Sequence, residues 1–201
     1  MRFTNLTSLL VASGLSLASC VNSRPIHYYT VGTSTAPMTK VNPDGPVLLV
    51  GNVATPVSLQ DGRIRYLTGS YEAGAYEFHR WLEQPGVMVR NSLLQSLRAS
   101  GQFRTVLESS SSAQGDYVLR GSLHEFGEVD RETIQTRISL QLELVDVKTK
   151  RDVWDRLVQH DEPVAGRKIG DVVQSFDRNL QEVVKEVTLE TGKLLSVASQ
   201  R

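Results

Sequence analysis

The chain has 201 residues, with 22 Lys and Arg against 22 Asp and Glu, so bulk electrostatics give it no hold on nucleic acid. Its length fits one domain with a real core. Cys20 is its only cysteine, which excludes a disulfide within the chain.

The chain begins with a segment that is not part of the fold. Met1 to Asn5 carries one charge, Arg2, and Leu6 to Leu17 carries none, with Leu9, Leu10, Val11, Leu15 and Leu17 making the run apolar. Ala18 and Ser19 then lead into Cys20. A basic start, an apolar run and small residues at the cut make a secretory signal. The run is shorter than the roughly 20 apolar residues a transmembrane helix needs. An ordinary signal has no use for a cysteine at the cut. Leu17-Ala18-Ser19-Cys20 resembles the bacterial lipobox, in which the thiol takes a diacylglyceryl group and becomes the first mature residue. This reading makes residues 1–19 a lipoprotein signal peptide, Cys20 the lipidation site, 20–25 the lipidated cysteine with a short tether, and 26–199 a single domain. Loss of Arg2 leaves 21 basic residues against 22 acidic ones. Val21 to Pro25, even fully extended, reaches under about 20 Å, so the domain sits close to its membrane.

The first strand signal is "IHYYTV", followed by a Pro- and Gly-rich loop from Gly32 to Pro46. The run "VLLV" within Val47 to Val57 predicts a buried strand. Arg63–Gly69 and Ala75–Trp81 alternate and predict two more, joined by a turn near Tyr71–Gly74. Pro85 suits the first turn of a helix. Val89, Leu93 and Leu97, with Leu94 beside them, predict an amphipathic helix over 86–99 that stops at Ser100-Gly101. A short strand, Phe103–Ser110, leads into a serine-rich loop. Asp116–Phe126 and Thr133–Val147 carry the clearest signal. In the second, Ile134, Ile138, Leu140, Leu142 and Leu144 alternate with Gln135, Arg137, Ser139, Gln141 and Glu143, giving one dry face and one wet face. A polar turn over Lys148–Asp152 returns the chain as Val153–Asp161. Finally Val172, Val173, Phe176, Leu180, Val183, Val184 and Val187 keep helical spacing over about 171–190. Its polar face mixes charge signs, which favours packing on a sheet over lying on a membrane. The whole predicts an α+β domain, a largely antiparallel sheet with two amphipathic helices packed on it.

No catalytic constellation emerges. His27, His79, His124 and His160 are scattered over four predicted strands without metal-ligand spacing. There is no G-x-S-x-G elbow and no phosphate-binding glycine loop. Ser122 reads as an alternating polar residue of a strand, and the acidic pairs Asp161-Glu162 and Glu125/Glu128 as solvated strand ends. Tyr28, Tyr29, Tyr66, Tyr71, Tyr76 and Trp81 crowd the first half; most are expected in the core, and the pattern does not separate out the rest. Trp154 reads as sheet packing. The expectation is a non-enzyme with no cofactor and no metal, carrying only covalent lipid on Cys20.

Three stretches taken in order carry a family resemblance: "YYTV", "RWLEQPGVMVRNSLLQSLRASGQFRTV" (Arg80 to Val106) and "DYVLRGSLHEFGEVDRETIQTRISLQLELVDVKTKRDVW" (Asp116 to Trp154). The chain resembles the ABC-type transport auxiliary lipoproteins, the PqiC/YmbA-like family, over nearly all of its mature length. The resemblance implies an outer-membrane lipoprotein facing the periplasm, which docks or assembles an intermembrane lipid transport system. Its implied partners are an Mce-domain protein of an ABC lipid transporter and the membrane itself. Phospholipid and a second copy of the chain remain open as further partners. Val21 after the lipid cysteine, where aspartate would signal retention, fits sorting to the outer membrane. Lys150 stands where relatives usually carry glycine, so a different turn type is expected there. The pattern also occurs in periplasmic lipoproteins of the penicillin-binding-protein-activator and curli-assembly types. Activators need a long linker to reach the inner membrane, and five residues cannot supply it. A direct lipid carrier would need an apolar pocket between sheet and helices.

Overall fold

A computed structural model describes residues 24–32, 39–110 and 112–198. The sheet is organised by two long strands, Tyr117–Asp130 (β6) and Ile134–Asp146 (β7). They pair antiparallel along almost their whole length, with one bulge between Leu123 and Glu125. Asp152–Pro163 (β8) adds antiparallel to the outer side of β7. The alternation of β7 decides which face is dry: Ile138, Leu140, Leu142 and Leu144 are all buried. On the wet face, Arg137 lies opposite Asp161 and binds it through two hydrogen bonds of 2.7 Å.

The other side of β6 is shared. Val47–Ala54 (β2) runs parallel to its first half and Arg63–Thr68 (β3) parallel to its second half. Between them the chain leaves the sheet in a short 3-10 turn, Val57–Leu59. Pro56, which has no N–H to give a ladder, stops β2 three residues before the expected end at Val57. Beyond these lie Thr105–Glu108 (β5), parallel to β2, and Glu72–Trp81 (β4), antiparallel to β3. His27–Tyr29 (β1) is parallel to β4 and forms an edge. The long ladders are antiparallel, as expected, while four short parallel pairings were not anticipated.

Pro85–Ala99 (α1) and Ile169–Ala198 (α2) cover the dry face, α1 over β2 and α2 over β7 and β8. Pro85 occupies the first turn of α1, and Gly101 with φ 67° ends the chain's helical course. The second helix runs well past the expected end near residue 190. Gly192 does not stop it, because it makes room for Gln102: a Cβ there would sit 1.6 Å from Gln102 Oε1. Thr191 turns its hydroxyl back onto the carbonyl of Val187 at 2.8 Å.

Trp81, Phe126 and Phe176 join β4, β6 and α2 at the centre of the core. Phe126 stacks on Phe176 at 4.7 Å, and Trp81 stands edge-on to both. A buried polar clamp lies beside them. Asn179, fully buried, donates through Nδ2 to the carbonyls of Thr136 (2.7 Å) and His160 (3.1 Å). Ser175 meets Thr136 at 2.9 Å. These bonds fix the register of α2 on β7 and β8, since sliding the helix would leave the buried Asn179 amide without its partners.

The expectation of a different turn at Lys150 is not met in the way supposed. Lys150 adopts φ 59°, the left-handed conformation that glycine takes freely, at a cost of about 1 kcal/mol for a residue with a Cβ. Asp146 holds the turn by accepting from the Thr149 N–H at 2.7 Å on its side chain and from the Lys150 N–H at 2.9 Å on its carbonyl.

Candidate functional site

Cys20 lies outside the described residues, so the functional site within the structure is the place where the chain that follows it joins the domain. The join is β1. In a strand, alternate side chains point to opposite faces, so His27 and Tyr29 share one face and Tyr28 takes the other. His27 stacks on His79 of β4 with ring centroids 5.5 Å apart. The Tyr29 hydroxyl and His79 Nδ1 share a hydrogen bond of 3.0 Å. The N–H of Leu82 donates to the Tyr29 carbonyl at 2.7 Å. Just upstream, the Arg24 guanidinium lies 5.6 Å from the centroid of the Phe78 ring. Just downstream, the N–H of Gly32 donates to Asp177 on α2 at 2.8 Å. The first described residues are thus bound to both layers of the domain.

Behind this edge the ring cluster continues inward. Tyr76 stands edge-on to His79 and to Tyr66, and its hydroxyl donates to Glu128 Oε2 at 2.8 Å. Gly74 is required here, because a Cβ would lie 2.4 Å from the Tyr66 ring. Glu128 is only 6% exposed. Burial pushes its carboxyl up, and the nearby Asp130 charge adds to this, while the Tyr76 hydrogen bond opposes it. Burial, and then the neighbouring His27, hold His79 below the ordinary histidine value. Both groups are therefore biased toward their neutral forms, as befits a cluster that holds a strand in place.

The histidines expected to be scattered are only partly so. His27 and His79 come together through the parallel β1–β4 pairing, whereas His124 is exposed on β6. His160 hydrogen-bonds through Nδ1 to Asn179 Oδ1 at 3.2 Å. Among the described residues no group of three or more His, Cys, Asp or Glu could hold a metal ion. Ser122 lies inside β6, as expected. Asp161 and Glu162 stand at the end of β8, as expected, but are paired with Arg137 and Arg178. Glu125 is exposed, though inside β6 rather than at its end, and Glu128 is buried there instead of solvated. The tyrosines divide: Tyr29 and Tyr76 pack on the core, while Tyr28 and Tyr71 are exposed. Trp154 packs on the core from β8, as expected.

The space between sheet and helices is filled by the apolar core. A groove of about 420 Å³ opens between the helices, lined by Ser92, Ser96, Leu180, Val184 and Thr188. No helix among the described residues is long and apolar enough to cross a membrane.

Residues 29–188 match the family model described as the ABC-type transport auxiliary lipoprotein component. Protein XCC0632 from Xanthomonas campestris, assigned to the DUF330 family, has a similar fold, with a TM-score of 0.76 at 20% identity; the match covers 89% of this chain and 100% of that one. An uncharacterized protein gives a TM-score of 0.65 at 16% identity, covering 84% of this chain and 99% of the other. No curated protein gives a significant match. With its family match spanning both helices' sheet contacts and every long strand, the chain belongs to the ABC-type transport auxiliary lipoprotein component family.

Proposed function

We propose that this protein is a non-enzymatic, lipid-anchored accessory of an Mce-type ABC lipid transport system, docking or assembling the transport complex at the outer membrane. The anchor is lipid on Cys20, and the domain faces the periplasm. The observation that carries the reading is the match of residues 29–188 to an auxiliary transport lipoprotein, on a chain whose single cysteine follows Leu17-Ala18-Ser19. Two features of the fold support it. The sheet–helix interface is packed with core side chains, which suits a docking factor better than a carrier holding an acyl chain inside. The first strand is bound to β4 and, through Gly32, to α2, so a pull on the anchor is passed to the whole domain.

The test has two arms. Cys20→Ala, expressed with its signal, is expected to leave a folded domain that disappears from the outer-membrane fraction; a variant that still fractionates with that membrane refutes the lipid anchor. In-cell crosslinking of the unaltered protein is expected to capture an Mce-domain protein. Capture of a penicillin-binding protein instead would overturn the transport reading.

A further inference from the structure

The lipid-anchored reading leaves open how the domain sits on its membrane, and the topology answers this. We infer that the protein rests on a phospholipid surface with one pole, formed by the β3–β4 tip (Gly69–Tyr71), the β6–β7 tip (Arg131–Thr133) and the turn entering α2. This rests on lipidation at Cys20.

The argument starts from chain direction. β4 runs from its tip, at Glu72, back toward the middle of the sheet at Trp81, and β1 runs parallel to it with His27 opposite His79. Going backward from His27 therefore leads toward the tip, and Arg24 already lies over Phe78. Seven residues separate His27 from Cys20, and seven separate His79 from Glu72. The register shift of β4 against β3 takes up part of that stretch, since His79 is level with about Arg63–Ile64 and Glu72 with Thr68. The tip is therefore about five residue rises from His27, and extended chain at about 3.3–3.6 Å per residue reaches it with length to spare. The opposite pole, at the β7–β8 turn, lies about eight residue rises from the level of His27 in the other direction and at least three strands across, on the order of 30 Å against a tether reach of about 24 Å.

The pole is also built as a unit. The Gly69 N–H donates to the Asp130 carbonyl at 2.8 Å, and Arg131 Nε donates back to the Gly69 carbonyl at 3.3 Å. The Val164 N–H, at the end of β8, donates to the Ile134 carbonyl at 3.0 Å. Gly69, at φ 61°, makes the sharp turn that a residue with a Cβ resists. At its apex stands Tyr71, 97% exposed. A tyrosine ring with an apolar body and a polar tip favours the headgroup level of a bilayer. The charges at this pole balance. Arg24, Arg131, Arg167 and Lys168 are matched in number by Glu72, Asp130, Glu132 and Asp171, so the contact rests on the anchor and the ring rather than on attraction to anionic lipid.

The single cysteine makes the test direct. The chain from Cys20 onward is coupled through its thiol to maleimide-bearing phosphatidylethanolamine in vesicles of phosphatidylethanolamine and phosphatidylglycerol. Tryptophan is placed singly by Tyr71→Trp, Glu132→Trp, Tyr28→Trp and Lys148→Trp. Quenching by phospholipid brominated near the headgroup is then read, corrected for the native Trp81 and Trp154. Expected is a loss of about two-fold at 71, a smaller one at 132 and none at 148, unchanged by high salt. Stronger quenching at 28 than at 71 would mean the domain lies on its β1 edge. Quenching at 148, or at no position, would mean another pole or no contact, and each of these overturns the proposal. Because the lipid is attached chemically, the result does not depend on whether the cell lipidates Cys20, which the Cys20→Ala fractionation decides separately.

Discussion

On one side of β6 lies a single partner, β7, joined to it by a three-residue turn and followed by β8 as a second hairpin; α2 then packs directly over β7 and β8. On the other side the same strand is shared by β2 and β3, which run parallel to it and are separated by a 3-10 turn. Beyond them β4 carries a register shift against β3, and β1 touches only three residues of β4. The first region is built from neighbours in sequence through long ladders, each with one register shift. The second joins segments farther apart in the chain through short ladders, and it receives the chain that follows Cys20. Long ladders supply the rigidity on which an edge of short ones can be shaped to a task. One set of side chains joins the two regions, and removing it is the severest way to break the comparison.

Phe126→Ala removes the middle of the Trp81–Phe126–Phe176 stack, and a fully buried Phe→Ala change costs about 3–5 kcal/mol. Trp81 reports the region of short ladders and Trp154 lies in the long one. Trp154→Phe leaves the stack intact and Trp81 as the lone tryptophan; in it, urea unfolding followed by Trp81 fluorescence and by far-ultraviolet circular dichroism of the ladder and helices should give one shared midpoint. Adding Phe126→Ala should lower that midpoint for both probes together. Separate midpoints in Trp154→Phe alone would show that the stack does not weld the halves.

Asn179→Ala acts on the side of the long ladders alone. It strips the donor from the Thr136 and His160 carbonyls and the partner from His160 Nδ1. The helix loses its polar hold on the ladder, at a cost of about 1–2 kcal/mol. Hydrogen exchange should speed up in α2 and β8 and stay slow at the β1–β4 pairing. Loss of protection in β1 first would contradict the division.

The same contrast explains what could be read from residues alone. The β7 alternation, the α2 spacing and the hairpins are local, and a period of two or of 3.6 is written into neighbouring positions. They were legible down to the dry face of β7. The parallel pairings were not, because nothing in "IHYYTV" names His79 as its partner 52 positions on. Neither was Glu128, where a carboxylate looked like a solvated strand end. Its burial is made by Tyr76 from another strand. The last turns of α2 were not read either: the helix runs past residue 190 through Gly192, whose missing Cβ leaves room for the side chain of Gln102. The proposed anchor at Cys20 rests on a local signal of another kind, a thiol after small residues, which needs no fold at all.

The mildest change probes that missed carboxylate. Burial raises the Glu128 carboxyl above its ordinary value in the folded protein, so the native state binds this proton more tightly than the unfolded chain does. Between the ordinary carboxylate value and the raised native one, the native state holds the proton and the unfolded chain has lost it. Stability therefore falls as pH rises through that window. Above it the native protein carries a buried charge that accepts a hydrogen bond from the Tyr76 hydroxyl. Glu128→Gln keeps an acceptor for the Tyr76 hydroxyl and removes that charge. Chemical denaturation should find the variant more stable than the parent by on the order of 1 kcal/mol at neutral pH. The difference should shrink toward zero below the ordinary carboxylate range, where both proteins are uncharged at this position. A variant less stable than the parent at neutral pH would mean that the charged Tyr76–Glu128 hydrogen bond outweighs desolvation, and that this edge is held by charge rather than by packing.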